Sequence, residues 1–399
     1  MKEHANWIDG EPRLTAHSFE LPDPARIGES LGRWSRSGPE ELALALDAAA
    51  RARSRPADPR RRARALAQAI RAVALDPDPE GLVARSIGLE PGELEPHVRG
   101  LERRLERALA QPATAGTGPV LVRRHWSELF YGLGETLVRE LAAGRAVVLL
   151  SDPAVPGLAE RFARAFIEAG LAPGALALLH DDGETALRAA CAGGCFERIS
   201  ASGHGDFRTR LEAYCRGSGA GPGPTYFGAG VIEAPATELA FTPLERGVAW
   251  VEASDDPCQQ GREVARAAFG RVAALSGQRS GRLGLVTCHP RVFARFTEAL
   301  LEALEGDEPA FAPLPLLDPS AFRELEDGLQ LGLDEGATLI HELAPTASRP
   351  PRPHARVGRL VFTNVDPESR LAALTRPIPL LALVRGHGGG LGGFASGAR

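Results

Sequence analysis

Along the first quarter of the chain the apolar positions recur at helical spacing. EELALALDAAARA and RRARALAQAIRAV, within residues 40–75, place Ala and Leu on one face and Arg and Glu on the other. DPDPEG (76–81) breaks the run, and ELEPHVRGLERRLERALA (93–110) restores it as a further amphipathic helix. After the loop PATAGTGP (112–119) the pattern changes to short apolar runs between helical segments. PVLV (119–122), RAVVLLS (145–151), ALALLH (175–180) and FERISAS (196–202) read as strands. LGETLVRELAAG (133–144), PGLAERFARAFIEAG (156–170) and ETALRAACAG (184–193) read as the helices between them, the second opening on Pro and closing on Gly. This alternation predicts an α/β fold with a parallel sheet and crossover helices.

Beyond the Gly/Pro-rich GSGAGPGP (217–224) the alternation resumes. VAWVEA (248–253) and LGLVT (283–287) read as strands, QQGREVARAAFGRVAALSG (259–277) and PRVFARFTEALLEAL (290–304) as helices. ATLIHEL (337–343) and GRLVFTNV (358–365) are strand-like, SRPPRPHAR (348–356) is a loop, and the Gly-rich 385–399 reads as a disordered tail. There is no internal repeat.

Composition narrows the function. The 399 residues are 44% hydrophobic and 24% charged, which suits a globular chain of two domains. A net charge of −5 gives no electrostatic case for nucleic acid or an anionic membrane. The apolar run IPLLALV (378–384) is too short to span a bilayer, and MKEHANWIDGEP lacks a signal core. Lys2 is the only lysine, so no internal amine exists for a Schiff base; with abundant Arg, Gly, Pro and Ala this points to a GC-rich bacterial gene. Five scattered cysteines favour reduced thiols and a cytoplasmic setting. No metal site is expected: Cys191 and Cys195 lack two further ligands, and His341-Glu342 lacks a second His. The Arg runs 51–65 and 97–108 read as solvated helix faces.

Five blocks carry a resemblance. WIDGE (7–11), LAAGRAVVLLSDPAVPGLAERFARAFIEAGLAPGALALLHDDG (141–183), RISASG (198–203), SGQRSGRLGLV (276–286) and VFTNVDPESRLAALTRPIPLLALV (361–384) are similar, in this order, to blocks of the aldehyde dehydrogenase superfamily. The resemblance implies a Rossmann-like cofactor-type domain with N-terminal helices over 1–243. It also implies an α/β catalytic-type domain over 244–384, short of the family's last segment; a truncated gene stays open. In that family a cysteine thiolate attacks an aldehyde, hydride passes to NAD(P), and a glutamate activates the hydrolytic water.

Carried over residue by residue, the motifs keep the apolar skeleton and lose the chemistry. The nucleophile position is Ser280, and its sequence neighbours Gln278, Arg279, Gly281 and Arg282 include no base. It reads as a turn residue; Cys258 and Cys288 are the other thiols near it in sequence. The tryptophan of the oxyanion motif falls on Trp126 and its asparagine on Ser127, which has no amide donor. On the cofactor side the lysine falls on Leu150, its partner glutamate on Pro153, and the glycine and serine of the phosphate-side turn on Gly203 and His204. The glutamate and phenylalanine of the last motif fall on Thr375 and Pro377, with Pro379 retained. The general-base glutamate is Glu245 by spacing, with Glu238 as the alternative.

These departures imply an aldehyde dehydrogenase-like pseudoenzyme that binds a partner or a small ligand. No cofactor is expected, or NAD(P) if the pocket survives. The expected partner is another copy or an active dehydrogenase, with neither nucleic acid nor membrane. Two alternatives stay open: an active NAD(P)-dependent oxidoreductase with a divergent site, and a serine-ester hydrolase built on Ser280, Glu245 and His204 or His289.

Overall fold

Parallel strands covered on both faces need apolar side chains on both faces, and the runs VVLL and LALL meet that need: all eight side chains are buried. The computed structural model describes residues 1–24, 26, 28–54, 58–114, 116, 118–216, 238–243, 246–279, 281–306, 309–311, 314–315, 317, 319–343, 359–374 and 378–386. The chain divides into two units, Met1–Pro243 and Leu244–Arg399. The Gly-rich 217–224, the loop 348–356 and the tail beyond 386 lie outside the described residues.

The first unit opens with β1 (Glu3–His4), β2 (Asn6–Ile8), β3 (Glu11–Arg13), β4 (Ser18–Pro22) and β5 (Ser30–Ser35). Five helices follow: α1 (Pro39–Ser54), α2 (Pro59–Leu75), α3 (Leu82–Ser86), α4 (Glu95–Val98) and α5 (Leu101–Ala110). The alternating part comprises β6 (Val120–Arg123), α6 (Leu129–Ala142), β7 (Val147–Leu150), α7 (Pro156–Glu168), β8 (Leu176–Leu179), α8 (Thr185–Gly193), β9 (Arg198–Gly203), α9 (Gly205–Arg216) and β10 (Glu238–Pro243). Its sheet runs β10-β9-β6-β7-β8-β2-β3, parallel from β10 to β8. WIDGE spans a turn: β2 and β3 form an antiparallel hairpin across Asp9-Gly10, and Trp7 pairs with Leu178 of β8. The helix expected over 93–110 breaks at Gly100, whose φ of 78° a left-handed turn requires. The helix expected from 133 starts a turn earlier, at Leu129.

The second unit comprises β11 (Gly247–Val251), α10 (Pro257–Phe269), β12 (Leu283–Cys288), α11 (Phe293–Glu305), α12 (Pro319–Asp334), β13 (Thr338–Leu343), β14 (Arg359–Thr363) and β15 (Leu380–Arg385). Its sheet order is β11-β12-β15-β14-β13, with only β13 antiparallel. One apolar layer on this sheet contains Phe269, Val286, Phe296 and Leu381, another Leu285, Phe362, Leu371 and Leu380. The helix expected over 259–277 ends at Phe269, and the chain then turns through Leu275–Gly277. IPLLALV supplies the central strand of this sheet. Among the described residues no helix is long and apolar enough to cross a membrane.

Candidate active site

In the first unit the chain lays down β6, β7 and β8 in one direction, then returns to the other side of β6 for β9 and β10. The crevice beyond the carboxyl ends of β6 and β9 is therefore the topological switch point, where open α/β sheets place ligands. Arg124 leaves β6 there and reaches across β9, donating from Nη2 to Ser200 Oγ (2.9 Å) and from Nη1 to Thr242 Oγ1 of β10 (3.0 Å). Ser202 Oγ donates to the Glu128 carboxylate and accepts the His125 backbone N–H at 3.0 Å. Burial raises the Glu128 carboxyl above its ordinary range, opposed by Arg124 and by the Ser202 hydrogen bond.

The motif positions surround this network. Trp126 is buried and donates its backbone N–H to Asp152 Oδ2 (3.1 Å), while Ser127 Oγ lies 2.9 Å from His125 Nδ1. Asp152 also accepts from Ala154 N–H at 3.0 Å. Leu150 ends β7 inside the core with Leu121 and Val148. Gly203 ends β9 against Phe207: a Cβ there would lie 2.5 Å from the ring. His204 packs edge-to-face on His125 with ring centres 4.7 Å apart. The first turn of α9 carries Asp206, which accepts from Arg210 Nη1 at 2.8 Å. Toward β7 and α7, a cavity of about 10 Å³ between Arg124, Trp126, Leu150 and Leu158 has the room of a single water at most.

In the second unit Ser280, Glu245, Thr375 and Pro377 lie outside the described residues. The turn leading to residue 280 is held from several sides. Leu275, Ser276 and Gly277 all have positive φ (49°, 50° and 91°). Gly277 is packed so closely that a Cβ would lie 2.7 Å from Pro379 Cα. Gln278 Nε2 donates to Pro315 O (2.9 Å) and its Oε1 accepts from Leu317 N–H (3.0 Å), so the glutamine clamps a neighbouring segment. Gly281 precedes β12 and His289 follows it; the six-residue strand, roughly 20 Å long, keeps them apart. Glu238 is ion-paired with Arg198 at 2.8 Å on the exposed side of β10. Cys288 is fully buried, and burial pushes its thiol up to about 11, far from thiolate at neutral pH.

Several polar residues that shape these regions carry no motif. Arg124, Glu128 and Asp152 follow parallel strands or open the next helix, and a charged residue just past an apolar run at the switch point is the one sequence signal for them. Arg246 and Arg282, each just ahead of a strand, are buried at 9% and 3% exposure. Among the described residues no group of three or more His, Cys, Asp or Glu is placed to hold a metal.

No family model matches the sequence, and no curated protein does. Solved structures match along nearly the whole chain. An NAD-dependent aldehyde dehydrogenase of Sinorhizobium meliloti is 16% identical over 96% of this chain and 78% of its own, with a TM-score of 0.78. A mutant of 1-pyrroline-5-carboxylate dehydrogenase from Thermus thermophilus is 16% identical over 96% and 76%, also at 0.78. A mutant of aldehyde dehydrogenase C from Pseudomonas syringae, solved with NAD⁺ and octanal, is 17% identical over 96% and 80%, at 0.76. The two sheets, their helices and these likenesses give the chain the fold of the aldehyde dehydrogenase superfamily.

Proposed function

We propose that this chain is a catalytically silent protein on the aldehyde dehydrogenase fold, retained as a scaffold that binds a partner or a small ligand. One observation carries the reading: the polar side chains at the switch point are engaged with one another. Arg124 donates to the Ser200 and Thr242 hydroxyls, and Ser202 donates to Glu128, where a nucleotide would lie. The residues do not fit a dinucleotide. Leu150 has no group to pair with ribose or phosphate and is buried in the core. Asp206 puts negative charge in the first turn of α9, where a helix would otherwise favour a phosphate. The serine at the nucleophile position and the absent amide at Ser127 support the same conclusion.

The partner that suits this reading is an active dehydrogenase or a second copy of the chain, with neither nucleic acid nor membrane involved. Five free thiols agree with a cytoplasmic setting. A second reading, an NAD(P)-linked oxidoreductase with a divergent site, has one observation in its favour: the fold is shared with the Pseudomonas syringae protein solved with NAD⁺ over 96% of this chain.

Calorimetric titration of the purified protein with NAD⁺, NADP⁺ and NADH separates the two. No heat at millimolar cofactor is the expected result. Micromolar binding, or aldehyde turnover that Ser280→Ala abolishes, overturns the first reading in favour of the second. Light scattering and pull-downs then identify the partner.

A further inference from the structure

Two arginines at one end of the second sheet are buried as cations without an anion among the described residues. Arg246 immediately precedes β11 and Arg282 immediately precedes β12, and these strands are parallel neighbours. Gly247 N–H donates to Arg282 O at 2.6 Å, which locks the two strand entries together. The side chains meet beside Gly284, where a Cβ would lie 2.6 Å from Arg246 Cδ and 3.2 Å from Arg282 Nη1. Only a residue without a side chain leaves room for both guanidinium groups there.

Their hydrogen bonds all go to backbone carbonyls. Arg246 donates from Nη1 to Gly284 O (3.0 Å) and from Nη2 to Leu371 O (3.2 Å) and Ala372 O. Arg282 donates from Nη1 to Leu283 O (2.8 Å) and Leu380 O (2.9 Å). Arg282 Nε and Nη2 are buried and have no partner. Those two atoms share one edge of the planar guanidinium. They form its side-on fork, the pair of parallel donors that meets both oxygens of a carboxylate.

A buried charge is tolerated when it is paired, and a guanidinium does not escape by losing its proton. Burial lowers both groups from their ordinary value, Arg246 to about 10, which leaves it protonated at neutral pH. A water would accept one or two of the hydrogen bonds and supply no charge against two adjacent cations. We propose that Arg282, supported by Arg246, receives a small carboxylate ligand at the amino-terminal end of β12. The fork fixes the planar anion by two hydrogen bonds, and Arg246 adds the second positive charge. The site belongs to the second unit alone and does not depend on whether the crevice of the first unit binds a nucleotide.

Thermal unfolding of the full chain in propionate, propionamide and chloride at equal ionic strength tests this. Propionate is expected to raise the midpoint saturably by several degrees. Propionamide, which puts an amide donor where an acceptor is needed, and chloride are expected to leave it unchanged. Arg282→Met is expected to abolish the response, and Arg282→Lys, which keeps the charge and loses the fork, to weaken binding at least tenfold. A response of equal size to chloride or propionamide, no response to propionate, or a response retained in Arg282→Met overturns the proposal. If neither variant folds, hydrogen exchange of the peptide over 281–288 in the wild type decides: propionate must slow it, and unchanged exchange overturns the proposal.

Discussion

The two units differ in what their buried arginines meet. In the first, Arg145 is buried between Glu140 (3.3 Å) and Glu197 (3.0 Å), and Glu140 also meets Arg198 at 3.3 Å. His4 Nδ1 lies 2.6 Å from Glu160, and Arg124 and Glu128 each find hydroxyl partners at the switch point. In the second, Arg246 and Arg282 meet only carbonyls among the described residues, and buried Arg359 leaves Nε and Nη1 without a partner. The difference lies in whether a counter-charge is supplied from within the described residues. In the first unit the buried arginines meet carboxylates or hydroxyls, although Arg124 Nε and Arg145 Nε stay without a partner. A site can also keep charges that only an outside ion answers.

The largest expected effect comes from removing one arginine on each side of that contrast. Arg145→Met leaves Glu140 and Glu197 facing an apolar side chain, and breaking a buried pair in this way costs about 3–5 kcal/mol. Arg282→Met removes a cation that has no anion to abandon, so it is expected to be neutral or stabilising in the absence of carboxylate. Urea unfolding of both variants checks the pair. Equal losses would mean that Arg282 has an anionic partner within the chain, and the contrast would fail.

Acid supplies the second test. His180 is fully buried in the first unit, with Nδ1 2.9 Å from Ser151 Oγ, and burial lowers its pKa to about 4 from 6.5. As pH falls below 6.5 the unfolded chain takes up a proton that the folded chain refuses. Stability therefore declines through the window from pH 6.5 to about 4 and is not lost further by this group below it. The loss is about 3 kcal/mol in total. His180→Asn is expected to remove that slope; its urea midpoint at pH 7 and pH 4.5 should differ by correspondingly less than the wild type's. An unchanged slope would place the acid sensitivity elsewhere.

What was legible in the sequence was set by the range of the interactions. The runs around 147–150 and 176–179 announce buried parallel strands because two-sided burial writes itself into consecutive residues. The second strand of the WIDGE hairpin was missed because the short, exposed EPR carries no alternation. α9, GDFRTRLEAYCR, is largely polar, and α12 follows a Pro-rich stretch, so neither announces itself by apolar period. α10 was read too long because Gly270 sits in a periodic pattern that the backbone abandons there. Trp126, Leu150 and Gly203 are assigned by resemblance alone. Arg124 is not, because its partners Ser200 and Thr242 lie 76 and 118 residues away. In the sequence Arg282 stands out only as a neighbour of Ser280; its bond to Leu380 O spans 98 residues, and no local pattern encodes burial by so distant a strand.

A smaller effect concerns the turn before Ser280. Gly277→Ala must hold a φ of 91° and seat a Cβ 2.7 Å from Pro379 Cα, which is backbone and cannot turn aside. The expected cost is about 2 kcal/mol in urea unfolding. Ser280→Ala, which changes one hydroxyl, is expected to stay within about 0.5 kcal/mol. A comparable loss at Ser280 would give that side chain a structural role in the second unit.

The smallest effect carries the contrast between the units into their thiols. In the first unit the Cys191 thiol hydrogen-bonds to Cys215, and that bond lowers Cys215 to about 7 against the opposing effect of burial. In the second unit Cys288 is buried without such a donor, and its thiol rises to about 11. At pH 8 roughly nine-tenths of Cys215 and about 0.1% of Cys288 are thiolate. The weaker nucleophilicity of the more acidic thiolate takes back a factor of about 40–100. Alkylation by iodoacetamide, followed by peptide mass spectrometry, should therefore label Cys215 roughly ten- to twentyfold faster than Cys288, before the difference in access widens the gap. Cys191→Ala should slow Cys215 labelling at pH 7, where its thiolate fraction depends on the donor, and change it little at pH 9.5. If the two cysteines react alike, the thiols of the first unit are no better answered than those of the second, and the contrast between the units is confined to their arginines.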